Sequence, residues 1–494
     1  MPTYAYDRLT FLDNSFLLLE GPNTPMHIAG CAAYEAAALK TADGGIDIDR
    51  IRAYVSSRLH LIPRYRQRLE YIPIEGQPVW IDDAYFNIHY HVRHTALPKP
   101  GDERQLKRLA ARIMAQHLDR SRPLWEMWVV EGLGGGEHFA IISKIHHCMV
   151  DGMSSVDLLN VLLQLEPSEE FDQPPDWIPR PAPTRWDLLR DAALRYATLP
   201  LEIGRNLPAV IRDFRDPVSD ARARMRAVRD TLGTTFSNAS ETPINQPVGP
   251  HRRVDWLAMD LADVKEAKNR LGGTLNDVVL ATVAGAVRRF LERRRVNVEF
   301  LDFRVMAPVS VRSEGERGTL GNRVSAWMVP MPLGERDPRQ RFEKIRETTA
   351  QLKESKQAMG AEVLSAVGEW TPSTLLALGA RMATRALPFN IVVTNVPGPQ
   401  VPLYLLGARM LDNHGLLPLV GSLNLGIVLF SYAGKLCWGF TGEWQLIPDL
   451  HDFVLDIEAA FRELQQCGQV ESASKANGKR RSRAAHAESQ PTPA

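Results

Sequence analysis

Cysteine is scarce in this chain. Cys31, Cys148, Cys437 and Cys467 are the four among 494 residues, far apart and without a CxxC pair. That excludes a disulfide scaffold and a paired-cysteine metal or redox motif, and it fits a reducing, cytoplasmic compartment. Long apolar runs are missing too. No stretch approaches the roughly 18 uninterrupted apolar residues of a membrane span, so any membrane contact is expected to be peripheral. The N-terminus lacks a basic segment ahead of an apolar core, so no secretory signal is expected. Neither sign of charge dominates: 59 Lys plus Arg face 58 Asp plus Glu, and nothing in that balance calls for a nucleic-acid partner. Heptads and repeats of about 20–50 residues are absent, which excludes coiled coils and solenoids. What remains is a soluble-type composition, 44% hydrophobic and 24% charged, long enough for two or three domains.

The most informative stretch is Lys144-Ile145-His146-His147-Cys148-Met149-Val150-Asp151-Gly152, an HHxxxDG pattern. A strand-like run, Phe139 to Ile145, leads in, and a helix-like run, Ser154 to Leu163, leads out. Neighbouring side chains of a strand point to opposite faces, so His146 and His147 are not expected to enter one site together. That argues against a two-histidine metal site, and no metal is expected. One imidazole suffices as a general base, because its unperturbed pKa lies near working pH. Asp151 could organise the turn through a distant Arg, and Gly152 would give it backbone freedom. The bland alternative is a polar strand end carrying two surface histidines.

Around this stretch the pattern is α/β in two halves. In the first, Pro25–Glu35 reads as a strand starting at His27, which is expected to be structural. Asp47 is expected to cap a helix bearing Ile51, Val55 and Leu59. Residues 87–92 alternate like a strand with His89 and His91 on a solvated face. Residues 102–117 form an amphipathic helix with Leu106, Leu109, Ile113 and Met114 as its stripe. Trp125–Val130, turning through Gly132–Gly136, should pair with the histidine strand. Between 166 and 250 a Pro-rich linker leads to an amphipathic helix with Trp186, Leu189 and Ala193 on its apolar face and Arg190, Arg195, Arg205 and Arg212 opposite. Such a helix either lies on a lipid surface or packs on its own domains. In the second half, strands are expected at 253–259, 303–311, 324–332, 389–399, 423–432 and 435–440. Helices are expected from Leu261, from Thr274, over 338–355 and from Pro448. The segments are then 1–165, 166–250, 251–467 and a disordered basic tail, 468–494.

Taken together, Pro25-Met26-His27, Pro123-Leu124-Trp125, HHxxxDG at 146–152, Asn276-Asp277, Met306–Arg312 with Gly321-Asn322-Arg323, and Thr394-Asn395-Val396-Pro397-Gly398-Pro399 resemble the bacterial wax ester synthase/acyl-CoA:diacylglycerol acyltransferases, in the family's order over roughly residues 5–465. The resemblance implies two chloramphenicol-acetyltransferase-like domains with mixed sheets, joined by the crossing segment, with a tunnel between them. It implies that His147, the second histidine, is the catalytic base, that Asp151 acts structurally through Arg304 or Arg312, and that Cys148 is no nucleophile. It implies direct acyl transfer from acyl-CoA to diacylglycerol or a long-chain alcohol, without a further cofactor, at a peripheral membrane or lipid-droplet surface. Asn276 and Asn395 are candidate oxyanion donors, or else turn and cap residues. Thr394 and Glu443 depart from the family pattern, away from the proposed base. A condensation-type acyltransferase with another acceptor and a lipid-binding member without turnover are the alternatives.

Overall fold

The computed structural model describes residues 6–149, 155–174, 176–195, 197, 239–310, 324–354 and 387–467. The alternating runs fold as strands, and they gather into two six-stranded sheets and one small one. The small sheet has β1 (Asp7–Arg8), β3 (Gln67–Tyr71) and β4 (Pro78–Asp82) in the order β1-β4-β3. The first large sheet contains β2 (His27–Glu35), β5 (Val92–Ala96), β6 (Trp125–Leu133) and β7 (His138–His146). Two further strands of it, β12 (Tyr404–Leu405) and β13 (Ala408–Leu416), arrive from far along the chain, giving β12-β13-β2-β7-β6-β5. The second large sheet runs β10-β9-β11-β14-β15-β8, from β8 (Arg252–Asp260), β9 (Phe303–Ser310), β10 (Val324–Met331), β11 (Ile391–Pro397), β14 (Leu425–Tyr432) and β15 (Lys435–Glu443). Both large sheets are mixed: β5 pairs parallel with β6, and β11 parallel with β9 and β14, among antiparallel neighbours.

Helices cover the sheets where the apolar period is helical. They include α1 (Phe11–Leu19), α2 (Ile48–Arg58), α3 (Ile88–His91), α4 (Glu103–Ala115), α5 (Ser155–Leu162) and α6 (185–195). The second half adds α7 (Leu261–Leu271), α8 (Leu275–Arg293), α9 (Pro338–Glu354) and α10 (450–467). Asp47 caps α2 as expected, its carboxylate accepting from the Arg50 amide, and Ile51 and Val55 face inward. On α4, Leu106, Ile113 and Met114 are buried against Val254 and Trp256 of β8, so this helix seats one large sheet on the other. Lys107 fixes the contact with a 2.6 Å ion pair to Asp255 and a bond to the Trp256 carbonyl. The sheets also touch backbone to backbone. A Cβ on Gly439 of β15 would sit 1.9 Å from the Gly415 carbonyl oxygen of β13, so no side chain fits there.

Three expectations need correction. Residues 88–91 form a helical turn, not a strand, because Asn87 caps it by accepting from the His89 amide. His91 consequently turns inward, 1% exposed and stacked on Trp125, rather than lying on a solvated face. On α6 the inward residues are Leu188 and Ala192, packed with Ile72, Val79 and Ile81 of the small sheet, while Trp186 and Leu194 are exposed. This part of the crossing segment packs on its own chain. The remainder of that helix-like run, including Arg205 and Arg212, lies outside the described residues, as does the tail from 468. Finally, residues 404–416 were not expected to be strands. They complete the first sheet, which thereby joins residues of the expected 1–165 and 251–467 segments.

Candidate active site

The histidines sit at the end of β7, flanked on both sides. β2 pairs with β7 so that His27 opposes His146, and the His147 amide donates to the Met26 carbonyl at 2.8 Å. On the other flank, β6 places Trp125 opposite Ile145, and the His146 amide donates to the Leu124 carbonyl. The Trp125 indole donates to the Tyr65 carbonyl and is buried, so the Pro-Leu-Trp stretch is a rigid wall beside the histidine strand. After His146 the chain tightens into a 3-10 turn, His147–Met149.

The two histidines do face different surroundings. His146 is 1% exposed; its Nδ1 accepts from the Cys148 amide at 3.2 Å. An accepting Nδ1 leaves the ring proton on Nε2, which points at Glu20 Oε1 from 3.6 Å, beyond hydrogen-bond reach. Burial lowers its pKa, against the raising effect of Glu20. His147 keeps part of its surface open, and its ring stacks on Phe16 of α1, centroids 3.8 Å apart and planes at 20°. Among the described residues its Nδ1 has no hydrogen-bond partner. Burial pushes its pKa down to about 4, with a smaller raising effect from its own backbone, so the ring is neutral at physiological pH. Cys148 is fully buried and its thiol is pushed well up by burial, an inert environment.

Beneath the histidines lies a charged cluster that sequence reasoning missed. Glu20, just past the end of α1, accepts from the Met26 amide (3.3 Å) and from Arg120 Nε (3.0 Å) and Nη2 (2.5 Å). His117 Nδ1 lies 3.3 Å away and His27 Nε2 3.5 Å away. Burial alone would raise the Glu20 pKa, but His146 and Arg120 together hold the carboxyl well below the usual range. His27 is fully buried, and burial takes its pKa well below normal. The sequence signal was present in Glu20 and His27 flanking the same turn, but neither has a spacing that marks a site. Among the described residues, His, Cys, Asp and Glu side chains form no set that could hold a metal.

Asn276 and Asn395 meet on the second sheet. Asn276 stands in the first turn of α8 and Asn395 on β11; the Asn395 amide donates to Asn276 Oδ1 at 2.7 Å. They line a cleft of about 60 Å³ together with Thr274, Trp327 and Lys353. Asp277 beside them is committed to structure, closing the capping box with Thr274 and accepting from Thr349. Arg304 of β9 makes a two-point contact with Asp302, just ahead of that strand. Asp151, Gly152 and Arg312 lie outside the described residues. The structure thus unites the two asparagines on one sheet and the histidines with Glu20 on the other.

Known proteins decide the kinship. A model of the wax ester synthase/diacylglycerol acyltransferase catalytic domain matches residues 9–279, and one of the same family's C-terminal domain matches 320–465. The chain belongs to this family. It is 34% identical over 480 residues to a putative diacylglycerol O-acyltransferase of Mycobacterium tuberculosis, covering 94% of this chain and 91% of that one. It is 31% identical to the probable diacylglycerol O-acyltransferase tgs1 of the same species, covering 93% and 96%. The solved wax ester synthase/diacylglycerol acyltransferase of Marinobacter aquaeolei shares the fold with a TM-score of 0.65 and 26% identity, over 94% of this chain and all of that one. A starter condensation domain of rhizomide synthetase matches at a TM-score of 0.56 and 14% identity, over 94% of each chain, a likeness of fold. Both large sheets therefore follow the chloramphenicol-acetyltransferase-like architecture that the family resemblance implied.

Proposed function

We propose that this member of the wax ester synthase/diacylglycerol acyltransferase family transfers an acyl group from acyl-CoA to the hydroxyl of diacylglycerol, with long-chain alcohols as second acceptors, and that His147 is the general base. The observation that carries the assignment of the base is the contrast at the end of β7. His146 has its Nδ1 engaged and its ring enclosed, whereas His147 is neutral, partly open and held by Phe16. In the reaction, His147 takes the acceptor's hydroxyl proton as that oxygen attacks the thioester carbonyl. The C–S bond then breaks and CoA leaves as thiolate, which takes the proton from the imidazolium. The low basicity of a buried imidazole means that the imidazolium forms only while the alkoxide develops, so proton transfer and attack are coupled. The asparagine pair on β11 and α8 offers amide groups beside the cleft that it lines. Asn276 and Asn395 are assigned there to substrate orientation. Asp151 and Gly152 are assigned to the turn that follows the base, with Arg304 or Arg312 as the partner of Asp151. Diacylglycerol is placed first because the relatives named above are called diacylglycerol O-acyltransferases. No helix among the described residues is long and apolar enough to cross a membrane. We assign the meeting with lipid substrates to a membrane or droplet surface.

The test uses purified protein, labelled palmitoyl-CoA, and dioleoylglycerol or hexadecanol in separate tubes, with thin-layer separation of products. Triacylglycerol or wax ester that forms with wild type and not with His147→Ala supports the reading. Equal product from the variant removes His147 from the mechanism. No product from either acceptor favours a lipid-binding member without turnover.

A further inference from the structure

The proposed base is held from one helical turn. Phe16, in the last turn of α1, stacks on the His147 ring. Glu20, four residues on, donates its amide to the Phe16 carbonyl at 3.2 Å, which ties the two positions together. The Glu20 carboxylate then accepts from the Met26 amide, and the Met26 carbonyl accepts from the His147 amide at 2.8 Å. One short segment therefore fixes His147 twice: its ring plane through Phe16 and its backbone through two successive hydrogen bonds from Glu20. The carboxylate is itself anchored by Arg120 and enclosed by His27, His117 and His146. At 6% side-chain exposure and in this company it cannot shift without leaving buried charge unpaired.

We propose that Phe16 and Glu20 are positioning residues for His147, acting as a clamp that keeps the imidazole on the line of attack. This rests on His147 being the base. A face-to-face stack at 3.8 Å restricts rotation of the imidazole and so fixes the direction in which its ring nitrogens point. The geometry costs nothing at the moment of reaction, because it is already made by the fold. Phe16 and Glu20 touch the base and its strand, not the reacting atoms, so their loss should appear in turnover and not in acyl-CoA binding.

The experiment compares Phe16→Leu, Phe16→Tyr, Glu20→Gln and His147→Ala in the full chain, measuring kcat, KM for palmitoyl-CoA and the thermal midpoint. Phe16→Leu keeps apolar volume and removes the ring. It should lower kcat about 10- to 100-fold with KM within about twofold, since small misplacements of a catalytic group cost on that order. Phe16→Tyr restores an aromatic face and should return kcat to within about threefold of wild type. Glu20→Gln keeps an oxygen for the Met26 amide but removes the charge that holds Arg120, and should lower kcat about 10-fold. If Phe16→Leu does not fold, the Phe16→Tyr and Glu20→Gln pair carries the test. Wild-type kcat in Phe16→Leu and Glu20→Gln, with His147→Ala inactive, overturns the clamp and leaves the base assignment standing. Equal impairment of Phe16→Tyr and Phe16→Leu, in step with their thermal midpoints, also overturns it. Full activity of His147→Ala overturns the base assignment itself.

Discussion

Around β7 the first large sheet buries Lys144, His146, His27 and Glu126 close together, whereas the second packs α8 from Val278 to Val287 as an almost wholly apolar layer with Phe290, Phe440 and Phe453. Both sheets have six strands and mixed pairing, so architecture does not require the difference. Lys144 is itself buried, with its ammonium on the Ile113 and Gln116 carbonyls and on Glu126. Burying polar groups costs free energy unless every one is paired; the second sheet incurs that cost too, at Arg252 and Asp255 of β8 and Glu443 of β15, whereas the first gathers its buried charges around the end of one strand. Local departures of this kind mark the place where a sequence serves something other than stability. The proposed chemistry lies on the first sheet, with the second as the proposed support and substrate wall.

Substitutions on the two sheets should therefore fail differently. The largest effect is expected for His147→Ala: turnover falls about 10²- to 10⁴-fold, the contribution usual for a general base, with near-wild-type circular dichroism and melting. Phe290→Ala on α8, in the core of the second half, should do the reverse. It removes about 3–5 kcal/mol of stability by urea denaturation, while the protein that remains folded keeps its kcat. His146→Ala lies between, because it strips the Cys148 amide of its acceptor. A loss of about 1–3 kcal/mol is expected, with a smaller fall in kcat than for His147→Ala.

Titration sharpens the same contrast. His147 has a folded pKa of about 4 and an unfolded one near 6.5, so its acid limb in kcat/KM should fall below pH 6.5 rather than at it. His91 and His414 are likewise depressed to about 4 by burial, and His27 and His146 are depressed as well. Between about pH 6.5 and 4 the unfolded chain binds protons that the folded chain refuses. Stability should therefore fall as pH drops through that window, and differential scanning across it checks the sign. The smallest effect is expected at Asn395→Ala, which removes one side-chain hydrogen bond from an otherwise intact wall. A change of about threefold in kcat/KM, near 1 kcal/mol or less, is the expected scale.

Much of this was legible in the sequence where period and punctuation agree. The α4 stripe of Leu106, Ile113 and Met114, the Thr274 cap and the Ala433-Gly434 hairpin all follow local rules, and they fold as those rules dictate. Strand alternation anticipated different surroundings for His146 and His147, but not the 3-10 turn, beginning at His147, that sets them. Residues 404–416 were not legible, because β13 carries Asp412, Asn413 and Gly415, which disfavour strands; β2 and the close approach at Gly439 impose the conformation from outside. His91 was misplaced because alternation in six residues cannot reveal a capping Asn87. Glu20 escaped notice because its partners at 26, 27, 117, 120 and 146 share no spacing. Pairing across the fold is a tertiary fact.

The borrowed strand has a consequence for synthesis. About 260 residues separate the end of β7 from the start of β12. At roughly 5–20 residues per second, a ribosome needs about 10–50 s to cover that distance. Throughout this interval β2 has one neighbour, β7, and its other edge displays unpaired amides and carbonyls. A nascent chain in that state is a template for any passing strand, so the first half is expected to lean on chaperones until residue 416 has emerged. Truncation before Tyr404 should leave an aggregating fragment, however well its own β2-β7-β6-β5 strands pair.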